Sequence, residues 1–242
     1  YFHRGIWRLK RDITMRALGI GMAPFLMHLA ACFVVIVLNN QLKRYGGDMA
    51  IATFGMTNRF MFFFAMIIMG LNQGMQPIVG YNYGAKLYPR MIRTLKLTII
   101  CATCVMGILW LIGLVFPESF IRLFTHDEQL IAQSIMPARV MLCTMIVVGF
   151  PMVVGNFYTS IGLANKAIFL SLTRQVIFLI PCILCLPLLF QWLSTIAVSP
   201  DSLLASLQPI WGVWWSLPLC DALAAILAAI IINHDMRKFR AV

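Results

Sequence analysis

Six long apolar stretches constrain this chain more than any other feature of its sequence. They span residues 17–39, 50–79, 95–116, 135–161, 168–193 and 209–233. Each is long enough to cross the hydrocarbon core of a bilayer, which takes about 20 residues of helix. Because 61% of the residues are apolar and only 11% are charged, a soluble core would leave too much apolar surface uncovered. The chain is therefore expected to lie in a lipid bilayer.

The apolar stretches favour helices over membrane-spanning strands. A transmembrane strand alternates polar and apolar residues over about ten positions, whereas residues 97–101 and 223–227 do not alternate. A helix also satisfies its backbone hydrogen bonds internally, as lipid requires. The sequence predicts an all-α polytopic membrane protein with a six-helix lobe at residues 17–233. Basic segments at residues 1–16 and 234–242 flank this lobe.

The basic residues predict the orientation of the chain. With six crossings, fourteen Lys and Arg residues fall on the side of the N-terminus, and three fall on the other. The fourteen are Arg4, Arg8, Lys10, Arg11, Arg16, Lys86, Arg90, Arg93, Lys96, Lys166, Arg174, Arg237, Lys238 and Arg240. The positive-inside rule then places both ends in the cytoplasm, with the helices in the plasma (inner) membrane. This accounts for the net charge of +11 without nucleic acid as a partner.

Residues 117–128 form the most acidic connection, with three of the eight acidic residues of the chain. Their amphipathic pattern predicts a short interfacial helix on the outer side. A cap is expected near Thr125, because a Thr hydroxyl can accept from free backbone N–H groups at a helix start.

The seven cysteines include two pairs with CxxC spacing, Cys101/Cys104 and Cys182/Cys185. Redox or zinc chemistry would need thiols near water or a metal. Since these pairs lie inside apolar stretches, the alternative is that they pack on one face of a helix as small, weakly polar side chains.

Asp221 is the main candidate for ion coupling or substrate contact. It lies near the middle of the last stretch, where a charged side chain costs about 3 kcal/mol and faces the protein interior or water. Burial favours the protonated form, which suits a proton carrier. The alternative is a carboxylate that is hydrogen-bonded to a neighbouring helix and has no role in transport.

Other polar residues within the stretches are further candidates for substrate or ion contacts. His28 could exchange protons near neutral pH, or it could be a neutral side chain bonded to another helix. Arg59 could bind substrate, or it could anchor its helix near the outer interface, and Arg139 resembles it. Asn156 in the fourth stretch is also a candidate.

The end of the second stretch combines small and polar residues, which predicts a tightly packed, bent helix end. Gly70/Gly74 and Gly80/Gly84 have the spacing that allows close helix approach. Pro77 removes a backbone donor. Asn72 and Gln76 carry amides that lipid would disfavour, so they are expected to face protein and are candidate contacts.

This cluster resembles a motif that follows the eighth helix of MATE (multidrug and toxic-compound extrusion) transporters. The matching residues are Gln76, Pro77, Gly80, Tyr81, Asn82, Tyr83, Gly84 and Ala85. Residues 162–181 resemble the family's turn from helix ten into helix eleven, and residues 212–221 resemble its helix twelve. The resemblance covers nearly the whole chain, which is identified as the C-terminal half of such a transporter.

The resemblance implies one lobe of a two-lobe, twelve-helix transporter. It implies efflux of small cationic or amphipathic compounds in exchange for protons or sodium ions, with no enzymatic activity and no cofactor or metal. The partners would be the bilayer and a missing N-terminal lobe. The coupling ion is left open, because the first and fourth stretches lack the acids that some members carry there.

Three alternatives remain at this stage. A lipid-linked precursor flippase of the same superfamily would line its cavity with basic residues, for which Arg59 and Arg139 are the candidates. A membrane thiol oxidoreductase would need cysteines in loops. A structural membrane subunit would leave the motif unexplained.

Overall fold

The computed structural model describes residues 11–196 and 208–240, so the ends of the two predicted flanking segments lie outside it. Its regular segments are all helical: α1 (Arg11–Gly84), α2 (Tyr88–Val115), α3 (Pro117–Arg122), α4 (Glu128–Leu142), α5 (Met145–Ser160), α6 (Ala164–Leu172), a π-helical segment (Thr173–Leu179), α7 (Ile180–Ile196) and α8 (Pro209–Arg240). The predicted all-α membrane fold is confirmed.

The first helix, α1, consists of two helices joined at Gly47. Gly47 has φ 69° and ψ −165°, a conformation that glycine adopts readily and L side chains do not. From Phe25 to Gly84 there are 60 residues, which would measure about 90 Å as a straight helix. That is about three times the hydrocarbon thickness. Val34 before the joint and Phe54 after it belong to one buried cluster, so α1 contains the first two predicted stretches.

Four helices are long and apolar enough to cross a membrane within the described residues, and α1 is one of them. A fifth span results if α4 and α5, which meet at 55°, are counted together. The break between these two lies at Cys143 and Thr144, where the Cys143 N–H bonds the Val140 carbonyl at 3.2 Å. Pro137 and Pro151 lie inside their helices instead. All six predicted stretches are thus helical, but the fourth is bent.

The two ends of the bundle differ in charge. At one end, here called the basic end, α1 and α8 finish, α2 and α6 start, and the rings of Tyr83, Tyr88 and Phe239 meet. Its basic residues with described side chains are Lys86, Arg90, Arg93, Lys96, Lys166 and Arg237. The opposite end contains Gly47, α3 and the start of α4, together with the acids Asp48, Glu118, Asp127 and Glu128. This distribution follows the predicted asymmetry of charge.

The acidic connection folds as predicted, with a different capping residue. The short helix is α3, and α4 follows it with Asp127 as its N-cap. Asp127 Oδ1 accepts from the backbone N–H groups of Gln129 and Leu130 at 3.0 and 3.3 Å. The predicted cap at Thr125 is wrong, because its hydroxyl instead accepts from the Asp127 N–H. Arg122 links the two helices, and hydrogen bonds to Glu128 and Glu118 raise its pKa above the ordinary value.

A close backbone approach joins α7 and α8 at Gly212. A Cβ atom at this position would lie 2.6 Å from Pro187 N and 2.7 Å from Pro187 Cα. Because backbone atoms cannot move aside as a side chain can, we expect Gly212→Ala to lower the unfolding free energy by about 1–3 kcal/mol. Thermal unfolding of the purified protein in detergent measures this change.

Gly107 in α2 provides the matched control for Gly212. A Cβ there would meet no described atom of a neighbouring helix within 4 Å. Gly107→Ala should therefore leave the melting temperature unchanged or raise it, since alanine favours a helix by about 0.8–1 kcal/mol. Equal melting temperatures for Gly212→Ala and the parent protein would contradict the tight contact.

Candidate functional site

A partly buried ion pair within the membrane-spanning region joins Arg174 to Asp221 of α8. Arg174 Nε donates to Asp221 Oδ1 at 2.8 Å, and Nη2 lies 2.6 Å from the same oxygen. The Asp221 side chain is 16% exposed and that of Arg174 is 38% exposed. A lone charge at this depth would be costly, and the partner offsets much of that cost. Asp221 therefore has the neighbouring-helix bond that sequence analysis offered as the alternative to a transport role.

Arg174 lies inside the candidate membrane span Asn165–Ile196, which corrects its place among the basic residues at the N-terminal side. The span Asn165–Ile196 starts just after a turn at Gly162, earlier than predicted, and its residues Thr173–Leu179 are π-helical. A π turn widens the helix and is frequent at functional sites. The Cys220 thiol donates to the Arg174 carbonyl at 3.0 Å, so this wide turn packs directly on α8. The basic side accordingly has one basic residue fewer than predicted, and the difference in charge between the two sides remains.

The ion pair borders a cavity of about 240 Å³, here called the methionine cavity because five of its twelve lining residues are methionines. The cavity lies where the two large clusters of buried side chains meet. Its lining residues are Asn58, Met61, Phe62, Ala65, Met106, Met141, Met145, Val148, Met152, Arg174, Leu217 and Asp221. Methionine side chains are flexible and polarizable, so they adapt to ligands of different shapes. A soft apolar pocket with one ion pair suits an amphipathic ligand that has a charged group.

Two of the predicted site residues, Gln76 and Asn156, form a separate polar contact between α1 and α5, and a third, Asn72, lies one turn away. Gln76 Nε2 donates to Asn156 Oδ1 at 3.4 Å, and Asn156 Nδ2 donates to the Met152 carbonyl at 2.9 Å. Asn72, one turn before Gln76, is buried, and neither of its amide atoms has a hydrogen-bond partner among the described residues. None of the three lines the methionine cavity. Their part in substrate or ion contact stays a prediction.

The remaining candidates lie away from the cavity. His28, Arg59 and Arg139 are exposed on the helix surfaces, and none of them is among the residues that line a described cavity. Asn58, the neighbour of Arg59, faces the cavity instead. The cavity thus brings Asp221, Arg174 and Asn58 together. His28, Arg59 and Arg139 lie outside it.

A second buried charge, Asp235 of α8, was not singled out from the sequence. Its Oδ2 accepts from the Tyr158 hydroxyl at 2.7 Å and from Lys166 Nζ, and His234 Nδ1 lies 3.5 Å from Oδ1. Its side chain is only 6% exposed. The three helices α5, α6 and α8 are tied together at the basic end by this network. It holds the helix ends in place and lies apart from the cavity.

The motif at the end of α1 packs through one of its glycines. A Cβ on Gly80 would lie 3.3 Å from the Ser160 carbonyl oxygen of α5, so the two helices approach closely there. At Gly70, Gly74 and Gly84 no described atom lies within 4 Å of such a Cβ, and the prediction of close packing at these three is wrong for the described residues. Asn82 instead bonds to its own helix, with Nδ2 donating to the Ile78 carbonyl at 2.7 Å.

Most of the cysteines are exposed on helix surfaces in the part of the chain that the structure describes, and only Cys220 is buried. All seven are free thiols, including the two CxxC pairs. Among the described residues, no group of three His, Cys, Asp or Glu side chains could hold a metal ion.

The sequence and the fold are similar to those of known proteins. A sequence model of the MatE family matches residues 24–184. The multidrug export protein MepA of Staphylococcus haemolyticus (strain JCSC1435) is 26% identical over 213 residues, which are 88% of this chain and 42% of MepA. MepA of Staphylococcus aureus (strain N315) is 25% identical over 222 residues, covering 92% of this chain and 45% of that protein. The chain thus spans less than half the length of these relatives.

Solved structures have the same fold. The MATE multidrug transporter DinF-BH superposes with a TM-score of 0.73 at 33% identity, over 99% of this chain and 49% of that chain. An inward-facing MATE transporter of the MOP superfamily superposes with a TM-score of 0.81 at 18% identity, over 97% of this chain and 50% of that chain. In both cases the described helices correspond to about half of a larger protein.

Proposed function

Because the chain belongs to the MATE family of transporters, we propose that it is the C-terminal lobe of a secondary multidrug antiporter. This antiporter exports cationic or amphipathic compounds in exchange for protons or sodium ions. The observation that carries the proposal is the methionine-lined cavity with the Arg174–Asp221 pair in its wall.

The ion pair offers a simple way to couple ion entry to substrate release. While Asp221 is charged, it neutralises Arg174, and the cavity accepts a cationic substrate without repulsion. A proton on Asp221 would break this neutrality and leave the guanidinium unpaired beside the substrate. Two positive charges in a site of low dielectric repel strongly, so protonation favours release of the substrate. A sodium ion bound to the carboxylate would act in the same direction.

The cavity favours an antiporter over a lipid-linked precursor flippase. A flippase cavity that holds a polyanionic headgroup needs unpaired basic residues, by the same charge complementarity that governs other anion sites. Arg59 and Arg139 lie outside the cavity, and its one described cation, Arg174, is paired with Asp221. We therefore keep the flippase as the second candidate only.

The topology and partners belong to the same proposal. Both chain ends lie on the cytoplasmic side of the plasma membrane, with residues 1–16 leading from an N-terminal lobe and residues 234–242 forming a tail. The second lobe completes the substrate path. Sequencing the DNA upstream of the codon for Tyr1 tests whether the same gene encodes that lobe.

A bulky substitution in the cavity tests the proposed function. Met61 is half-buried and lines the cavity, so Met61→Trp fills part of the space that a substrate would occupy. We expect export of a cationic dye from cells that express the complete gene to fall by about tenfold or more, the range for a lost fit in an apolar pocket. Dye efflux and protein level are measured together.

The matched control lies on the same helix. Met66 is 57% exposed on the outer surface of α1, so Met66→Trp adds the same ring without entering the cavity. Its dye efflux should equal that of the parent protein. Normal efflux by Met61→Trp, with normal protein level, would overturn the cavity as the substrate site.

A further inference from the structure

A groove at the basic end is lined by three basic residues. Lys86, Arg93 and Lys96 border a cavity of about 510 Å³, together with the rings of Tyr88 and Phe239. Arg93 and Lys96 lie on one face of α2, because residues three apart on a helix are neighbours. The groove is separate from the methionine cavity and shares no lining residue with it.

The positive charge of this groove has no counter-charge among the described side chains. Lys86, Arg93 and Lys96 make no ion pair with a described acid, and the acidic side chains described lie at the opposite end, in the Arg174 pair or in the Asp235 network. Like charges around one cavity repel one another, so an anion in the groove would relieve that repulsion. The groove therefore fits a ligand with a phosphate or another compact anionic group.

The surface next to the groove shows which kind of anion fits. Beyond Lys96, the same side of α2 continues with exposed apolar side chains at Leu97, Ile100 and Ile108, which are 62%, 58% and 60% exposed. The rings of Tyr83, Tyr88 and Phe239 pack with centroids 5.8 to 6.3 Å apart at the groove wall. Tyrosines collect at the level of lipid headgroups. An acyl chain could follow the apolar surface while its phosphate lies in the groove.

We propose that this groove is a binding site for the headgroup of an anionic phospholipid. The lipid's phosphate lies between Lys86, Arg93 and Lys96, and its acyl chains lie along the exposed apolar side of α2. The bound lipid connects α2 to the end of α8 through Phe239. Basic grooves between helix ends suit anionic headgroups for two reasons. Their positive charge attracts the phosphate, and the helix ends lie at the level of the headgroups.

The proposal is tested by titrating the purified full chain in detergent with phosphatidylglycerol and, separately, with phosphatidylcholine of the same acyl chains. Native mass spectrometry or fluorescence reports binding. We expect Arg93→Gln/Lys96→Gln to weaken phosphatidylglycerol binding about 30-fold, since each basic residue near an anionic lipid contributes about a fivefold factor in affinity. Phosphatidylcholine should bind weakly to both proteins.

Two further variants keep the result interpretable. Lys86 has φ 60°, a conformation better suited to glycine, so Lys86→Gly removes a charge without harming the fold and should weaken binding about fivefold. Lys43→Gln/Arg44→Gln removes the same charge as the double variant, but at the opposite end, and should bind as the parent does.

The outcomes distinguish a lipid site from a general effect of charge and from a site for free phosphate. Equal phosphatidylglycerol binding by Arg93→Gln/Lys96→Gln and the parent protein would overturn the proposal, as would equal weakening by the control pair. Displacement of the lipid by inorganic phosphate at comparable concentration would show that the groove recognises a free phosphate, which also contradicts a lipid site.

Discussion

Asp221→Asn should abolish uphill export of cationic compounds by the complete transporter. The amide cannot carry the proton or ion, and it leaves Arg174 charged and unpaired beside the cavity at all times. A cationic substrate would then meet constant repulsion. Dye accumulation in cells and ion-driven uptake into everted vesicles measure the loss, which should be at least about tenfold, or 1.4 kcal/mol.

The control separates a coupling role from a structural one. Removing one partner of a fully buried pair destabilises a protein by about 3–5 kcal/mol, and the cost is smaller here because the Arg174 side chain is 38% exposed. Replacing both partners is often close to neutral. Arg174→Gln/Asp221→Asn should therefore restore the protein level lost in the single variant. Export should remain absent in this double variant, because no titratable group is left at the pair. Full export by the double variant would mean that the pair only holds the helices together.

Asp235→Ala should cause the largest loss of stability at the basic end. It leaves the Tyr158 hydroxyl and the Lys166 ammonium without the carboxylate that each now contacts. The buried Tyr158 hydroxyl costs about 1–3 kcal/mol when unpaired, and the Lys166 ammonium, which is 42% exposed, costs less because water solvates it. We expect a total loss of about 2–4 kcal/mol in unfolding free energy, measured by thermal or denaturant unfolding in detergent.

Two other single variants should lower the unfolding free energy by less than Asp235→Ala does. Tyr158→Phe removes one hydrogen bond to a charged acceptor and should cost about 1.5–3 kcal/mol. His234→Ala should have little effect, because the ring is exposed and its Nδ1 lies 3.5 Å from Asp235. A loss for His234→Ala as large as that for Asp235→Ala would contradict the geometry of the network.

Much of the fold could be predicted because hydropathy is a local property. Stretches as long as residues 95–116 leave few alternatives to a membrane helix, and the motif that ends at Ala85 predicted the family. The bend between α4 and α5 could not be located from the prolines, because the chain turns at Cys143 and Thr144 instead. Likewise the Asp127 cap depends on where the helix starts, and one residue type in a polar loop does not fix that position.

The site was less predictable because its members come from distant parts of the chain. Asp221 stood out because a charge inside an apolar stretch is rare, and this signal depends on one residue only. Arg174 was counted with the basic side, although it lies inside the predicted stretch 168–193 and inside the candidate span Asn165–Ile196. The methionine lining joins Met61, Met106 and Met141 from three helices, and no spacing within one helix reveals such a cavity. The sequence did contain one hint, since 16 methionines are present.

The π-helical segment makes the length of its span as important as its residues. Arg174, inside this segment, must reach Asp221. Pro187, which follows the segment along the chain, must lie against Gly212. A π turn holds more residues than an α turn, so it shifts the rotational register between these two contacts. If the same seven residues formed a regular α-helix, one contact would rotate by about 100° relative to the other. Both contacts therefore depend on the wide turn itself, and a change that removes the turn should be tolerated only together with the loss of one residue.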